Sequence, residues 1–339
     1  MQAALVDSTG VVLREVPVPK LGAGELLVRM MACGVCGTDL EKAHGRGLTQ
    51  AVLGHEAVGL VETVGDGVDG FGEGDRVFVH HHVSCGKCYY CLSGSTTMCP
   101  LFKNTNIEPG GFSEYFKAPA PNVERGGVLD ISDMDFELAT FIEPLACCLR
   151  SLHRAGFQAG MSSCVVGFGP AGALHAMSLQ ALGASYVAVA DVSDFRLGMA
   201  EGLGVDEAVN VGERNLADVC RAATDGRGVD LVVVATGNPS AFRTGLEAVR
   251  RGGKVILFGA PPKSSTVELD IPKLFIDELS IIPNYSTTEK ETREAFHLLR
   301  AGKVTPTQLV THRYPLSRVV EAFDRASDPS SSMKVIVHP

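Results

Sequence analysis

The chain has no block of basic residues, no internal repeat, no low-complexity segment and no apolar run approaching the ~18 residues that a membrane span requires. Lysine and arginine number 30 against 39 acidic residues, a formal net charge of −9. That balance withholds the positive surface that nucleic acid or an anionic membrane would need, and it points to small neutral or weakly charged ligands. Residues 1–7 lack the basic and apolar regions of a secretory signal, so a cytoplasmic location is expected. In that reducing compartment the ten cysteines are expected as metal ligands and core residues rather than as bridges.

A chain of 339 residues exceeds the usual single core and divides into about two domains. Helical periodicity is scarce in the first part, where 25–30, 57–64 and 75–79 read as strands punctuated by glycine. From about Leu149 strand and helix alternate: strands at 164–166, 186–190, 229–235 and 254–258, with helices at 171–182, around 196–203 and through 246–250. Near-continuous apolar strands joined by helices predict a parallel sheet covered on both faces. Beyond 279–282 the alternation stops. Thr288 to Glu291 reads as a capping box opening a helix that Gly302 ends, and the last strand, 333–337, is expected to return to the first domain. The expected division is 1–148, 149–284 and 285–339, the last part rejoining the first.

Cys85, Cys88, Cys91 and Cys99 place four soft ligands within a short loop, where successive sulfurs can converge on one ion. A disulfide cluster with this spacing belongs to small domains of oxidising compartments, so a closed structural zinc site is the reading adopted. His80-His81-His82 just upstream reads as a strand end with alternating sides exposed rather than as metal ligands. Cys33 and Cys36 form a C-x-x-C pair without thioredoxin-like surroundings. Cys147, Cys148, Cys164 and Cys220 lie among apolar neighbours and read as buried hydrophobes.

Gly167-Phe168-Gly169-Pro170-Ala171-Gly172 is a G-x-G-x-x-G element that follows a strand and opens a helix, with Asp191 ending the next strand. The glycines suit a tight turn, a close approach of pyrophosphate and close helix–strand packing. Asp191 would accept hydrogen bonds from ribose hydroxyls and repel a 2′-phosphate, which favours NAD over NADP; the alternative makes it a helix cap. Arg196 could face adenine, solvent or a phosphate. The backbone near Phe258 and Pro283 is a candidate for contact with the nicotinamide carboxamide.

Cys36 and His55, on separate loops, suit a catalytic zinc that takes three protein ligands and keeps one position open. Glu143, in Ile142-Glu143-Pro144-Leu145, is placed to supply a carboxylate. Taken together, Gly34 to Asp39, Gly54-His55-Glu56, the four-cysteine lobe, Gly110 to Tyr115, Glu143-Pro144-Leu145 and the glycine fingerprint make the whole chain resemble the zinc-containing medium-chain dehydrogenases, particularly the sorbitol and threonine dehydrogenase branch.

The resemblance implies a GroES-like β-rich catalytic domain interrupted by a Rossmann domain, with two zinc ions per subunit, one catalytic and one structural. It makes Cys36 and His55 ligands, and leaves open whether Glu56 or Glu143 completes the catalytic set. It also makes Thr38 the hydroxyl of a proton relay and Asp39 the residue that orients His55. Leu40 and Glu41 stand where many members carry a relay histidine, and His44 follows as the candidate for the outer end of that path. The implied reaction passes a hydride from a carbinol carbon to the nicotinamide of NAD while the hydroxyl proton leaves through Thr38. A neutral polyol, sugar or other secondary alcohol is the expected substrate, in a homodimer or homotetramer; a hydrophobic alcohol, a non-catalytic zinc- and NAD-binding homologue and a metal-free enoyl or quinone reductase are the rivals. Phe112 and Tyr285 are pocket candidates whose place the sequence leaves open.

Overall fold

The computed structural model describes residues 1–45 and 52–339. Two compact units emerge. One comprises Met1–Ala146, Ser286–Asp328 and Lys334–Pro339, the other Cys147–Tyr285 and Pro329–Met333.

The first unit is built on a 7-stranded sheet in the order Val310–Pro315, Lys334–His338, Leu26–Gly34, Glu56–Val64, Arg76–Val79 and Val128–Asp130, with Tyr115–Ala118 also paired to Leu26–Gly34. Strand Leu26–Gly34 is rich in apolar residues and almost wholly buried, as a central strand must be to bury both its faces. The C-terminal strand adds to it antiparallel, with Ile336 opposite Gly34 and Val337 opposite Cys33. Leu26, Met30, Leu53, Phe116 and Phe112 fill the core, and the Phe112 ring stands edge-on to Phe323 at 5.3 Å. Phe112 therefore packs as a core residue.

The expected capping box at Thr288 takes another form. The helix Glu289–Arg300 is present, but the Thr288 hydroxyl donates to the Glu291 carboxylate instead of accepting from the backbone. Gly302, at φ 63°, turns the chain out of it.

The second unit carries a 6-stranded, wholly parallel sheet in the order Glu207–Asn210, Tyr186–Asp191, Ser162–Val166, Val229–Val234, Val249–Leu257 and Ser280–Pro283. Numbered along the chain this is 3-2-1-4-5-6, the doubly wound order whose direction reverses beside the first strand. Ser162–Val166 is buried at every position. The helix expected through Arg250 ends at Ala248, because β-branched Val249 starts the next strand. Cys164, Cys148 and Cys220 are buried as expected, whereas Cys147 is half-buried. A helix the periodicity did not announce, Ile142–Ala155, carries Glu143 and Pro144 in its first turn, where proline costs no intrahelical hydrogen bond. Among the described residues no helix is long and apolar enough to cross a membrane.

Glu137, on the short helix Phe136–Ala139, clamps the returning segments of the first unit. It accepts from Arg313 Nε and Nη2 at 2.6 and 2.7 Å and lies 3.0 Å from His338 Nε2. The Arg313 hydrogen bonds hold its carboxyl below the ordinary value of 4.5, partly opposed by burial. A depressed carboxyl pKa adds stability above its unfolded value and loses it as pH falls through the folded value. Glu137→Gln should therefore cost about 1 kcal/mol at neutral pH, a figure kept small by the exposure of Arg313. Urea midpoints should differ between the two proteins at pH 7 and converge in acid; a gap independent of pH would refute the assignment.

Candidate active site

Cys36 precedes a short helix, Gly37–Ala43, whose third residue is Asp39. Asp39 is wholly buried and its carboxylate gathers the loop around it: Oδ2 accepts the Cys36 N–H at 3.1 Å and Oδ1 the Gly54 N–H at 3.0 Å. Oδ1 also lies 3.3 Å from His55 Nδ1, at ion-pair distance though not in hydrogen-bond alignment. Gly54 is required there. It sits at φ 77°, and a Cβ would lie 2.7 Å from the Phe112 nitrogen. Burial disfavours a charged His55, but Asp39 and Cys36 outweigh it and carry its pKa well above the ordinary value. A metal ion on His55 must displace that proton, so metal binding here releases protons.

Cys36, His55 and Glu56 bring one donor atom each to within 4.8 Å of one another. Glu56 is buried and its Oε2 accepts from the ammonium of Lys334, which also donates to the Val35 carbonyl at 3.1 Å. Burial alone would lower the Lys334 pKa, yet Glu56 and Cys36 raise it. Gly34 makes room for the pair, since a Cβ there would lie 2.0 Å from Glu56 Oε2. Sequence reasoning missed Lys334. Its signal was a single lysine inside the apolar run Met333 to Val337.

Glu143 does not join Cys36 and His55 in that group; its carboxylate gathers with His80 and His81, again within 4.8 Å. The expectation of exposed alternation in the histidine run is corrected. His80 is 0% and His81 9% exposed, and the His81 ring lies 5.1 Å from that of His55. Burial drives both imidazoles toward the neutral form, His80 down to about 3 and His81 well below its usual value. Thr38 is exposed on the first turn of its helix. His44 caps the other end, exposed, its Nδ1 2.7 Å from the Leu40 carbonyl oxygen. Cys33 is fully buried, and burial pushes its thiol well above the usual range, which disables it as a redox partner of Cys36.

In the second unit, Gly167 turns the chain at φ 93° after the central strand. Gly169 caps the helix Pro170–Ala181, and at Gly172 a Cβ would lie 2.0 Å from the Gly167 carbonyl oxygen. Asp191 Oδ2 accepts the Phe168 N–H at 2.6 Å, and Oδ1 accepts those of Val192 and Ser193 at 2.8 and 3.0 Å. The following helix is capped by Ser193, so Asp191 is not its cap. Arg196 Nη1 stands 4.0 Å from Asp191 Oδ2, and Phe258 packs edge-on to His175 at 4.4 Å. Tyr285 is 36% exposed.

Residues 22–125 match the alcohol dehydrogenase GroES-like domain family and residues 170–301 the zinc-binding dehydrogenase family. The sorbitol dehydrogenase of Bacillus subtilis (strain 168) is 33% identical over 352 residues, covering 100% of this chain and 97% of its own. The L-threonine 3-dehydrogenase of Pyrococcus furiosus is 36% identical over 327 residues, covering 93% and 91%. The chain belongs to the zinc-containing medium-chain alcohol and polyol dehydrogenases. Among solved structures, alcohol dehydrogenase TADH of Thermus sp. ATN1 superposes with a TM-score of 0.88 at 28% identity, covering 100% of this chain and 99% of that one. A zinc-binding dehydrogenase of Sinorhizobium meliloti 1021, solved bound to NADP, gives the same four values.

The donor sets of this dehydrogenase suit zinc. Tetrahedral Zn–S bonds of about 2.3 Å imply sulfur separations of about 3.8 Å. Cys88 and Cys91 are 3.5 Å apart and Cys85 and Cys91 3.9 Å, with all four sulfurs within 4.8 Å. The Cys88 N–H donates to Cys85 Sγ and the Cys85 N–H to Cys99 Sγ, each at 3.3 Å. Backbone donors of Lys87 and Cys88 lower the Cys85 thiol to about 6, so the thiolate a metal needs is already favoured. Cys88→Ser should remove one equivalent of zinc per chain and lower the melting temperature. Unchanged zinc content and melting temperature would exclude the lobe as a metal site.

Proposed function

We propose that this dehydrogenase oxidises a secondary alcohol, of polyol or sugar-like type, to the ketone with NAD. The observation that carries the reading is the convergence of Cys36, His55 and Glu56 in a chain that also presents a glycine fingerprint at the switch point of a parallel sheet. When bound, zinc supplies a Lewis acid for the substrate hydroxyl and NAD supplies the hydride acceptor.

The protein's own groups do the rest. Of the two carboxylates considered, Glu56 is taken as the third member of the catalytic set because it lies with Cys36 and His55. Asp39 fixes the Cys36 loop and the His55 ring, so both donors are held in place before an ion arrives. Lys334 compensates the charge of Glu56 and fixes its carboxylate in a dry setting. Thr38 takes the hydroxyl proton, and its exposure gives that proton a way to water; His44, exposed on the same helix, is the candidate outer acceptor. The N-terminus of helix Pro170–Ala181 offers unpaired N–H groups to the pyrophosphate. Asp191 disfavours a 2′-phosphate, and the nearby Arg196 charge is already faced by that carboxylate. Phe258 directly follows strand Val249–Leu257, whose end is proposed to meet the nicotinamide. The relatives named for sorbitol and threonine support a polar secondary alcohol over a hydrophobic one. The same proposal places the protein in the cytoplasm, as ten free cysteines favour, as a homodimer or homotetramer with its catalytic domain at 1–148 and 285–339 and its nucleotide domain at 149–284.

A panel of polyols, sugars and simple alcohols with NAD and NADP tests this directly. Ketone formation with NAD is expected; no turnover with any alcohol, or a preference for NADP, would refute it. His55→Ala should lower kcat more than about a thousandfold, a loss of several kcal/mol of transition-state stabilisation, with NAD affinity nearly unchanged. Asp191→Ala should weaken NAD about tenfold or more while affecting NADP less. Near-normal turnover in the first variant would remove the metal mechanism, and equal losses for both cofactors in the second would remove the selectivity role.

A further inference from the structure

Lys334 opens the last strand, Lys334–His338, and is 1% exposed. Its ammonium donates to Glu56 Oε2 and to the Val35 carbonyl at 3.1 Å, and the Phe141 ring centroid lies 5.8 Å away. Val35 precedes Cys36 in the chain, so the ammonium is tied both to the backbone beside one metal donor and to the carboxylate that is another. A buried ion pair is a weak source of stability, because desolvation consumes most of the attraction and an apolar pair of the same volume would serve a core as well or better. Gly34 nonetheless leaves room for this one, since a Cβ there would lie 2.0 Å from Glu56 Oε2 and 2.8 Å from Lys334 Cε. The pair calls for an account in the site rather than in the core.

A carboxylate has two oxygens to give a cation. An oxygen that already accepts from an ammonium is a poor donor to a second positive charge, so Glu56 has one oxygen to offer a metal and not two. Catalytic zinc keeps one position for substrate, and a buried carboxylate free to grip with both oxygens would close it. We propose that Lys334 is a positioning residue that keeps Glu56 to a one-oxygen, exchangeable hold on the catalytic ion, and so keeps a position open to the substrate hydroxyl. The inference deepens, and rests on, the metal reading of Cys36, His55 and Glu56. The tie to Val35 holds the ammonium in place if Glu56 moves, so the carboxylate divides between the metal and a fixed competitor.

The full-length protein with cobalt exchanged for zinc tests this in Lys334→Met, which removes the charge at similar length, and in Lys334→Arg, which keeps it. The four-cysteine lobe contributes equally to each protein and cancels in difference spectra. Lys334→Met should weaken the d–d absorption of cobalt at Cys36, because a second Glu56 oxygen raises the coordination number, and should slow release of the catalytic zinc to a chelator about tenfold. Lys334→Arg should keep both near wild type, and in a Glu56→Gln background Lys334→Met should have neither effect. An unchanged spectrum and release rate in Lys334→Met, a faster release, or the same shift in the Glu56→Gln background would overturn the proposal and leave Lys334 a structural partner. If Lys334→Met does not fold, Glu56→Gln with Lys334 intact decides: it should speed zinc release far less than His55→Ala, and equal losses would overturn the exchangeable role. A wild type that takes up cobalt in the four-cysteine lobe alone would remove the metal reading itself, whereas each of the other outcomes judges Lys334 only.

Discussion

A carboxylate taken out of water must recover its hydrogen bonds from the protein, and Asp39 recovers them from the segments that carry the metal donors. One oxygen holds the backbone of Cys36, and the other holds Gly54 and faces His55. The pairing of Gly34 with Glu56 brings the two segments side by side, and Asp39 adds a second tie between the Cys36 backbone and the Gly54–His55 turn. The charge of Asp39 also gives His55 its high proton affinity, so the group that positions the imidazole sets the proton against which any metal must compete. Asp39 thus contributes both to the placing of the donors and to the proton affinity of His55.

The parts of this molecule legible in the sequence are those written over short stretches of chain. The four-cysteine spacing, the glycine fingerprint and the alternation of strands and helices each need only a short stretch of chain; the alternation announced the doubly wound sheet, and the family resemblance implied the GroES-like and Rossmann pairing. What stayed hidden depends on sheet register. Lys334 meets Glu56 across 278 positions because the last strand inserts beside Leu26–Gly34, and nothing local to Lys334 says which carboxylate it will face. The histidine run gave the opposite difficulty. Period-two alternation predicts one wet face only when a strand has a solvent side, and residues 80 and 81 have none. Glu143 was read as a metal carboxylate from its motif, and its nearest donors are His80 and His81, the latter 5.1 Å from the His55 ring.

Space is as specific here as charge. Gly34 leaves the volume that the Lys334–Glu56 pair occupies, and Gly172 lets the fingerprint helix close onto its own turn. At Gly172 the added atom would meet the Gly167 backbone at 2.0 Å, which no side-chain adjustment relieves, whereas at Gly34 it would meet Glu56 Oε2 at 2.0 Å and force the Lys334–Glu56 pair to move. Glycine in this chain is therefore a packing residue at the sites that carry chemistry, and the 38 glycines reflect more than loop content.

The central claim is that a metal held by Cys36, His55 and Glu56 activates an alcohol for direct hydride transfer to NAD. The most direct measurement follows deuterium from the carbinol carbon of a labelled secondary alcohol into the reduced nicotinamide by mass spectrometry, before and after the catalytic metal is removed by chelation. The account predicts one deuterium per turnover in the metal-loaded protein and none after removal, with transfer restored by added zinc. Label that fails to appear in the nicotinamide, or that transfers undiminished without metal, would contradict it.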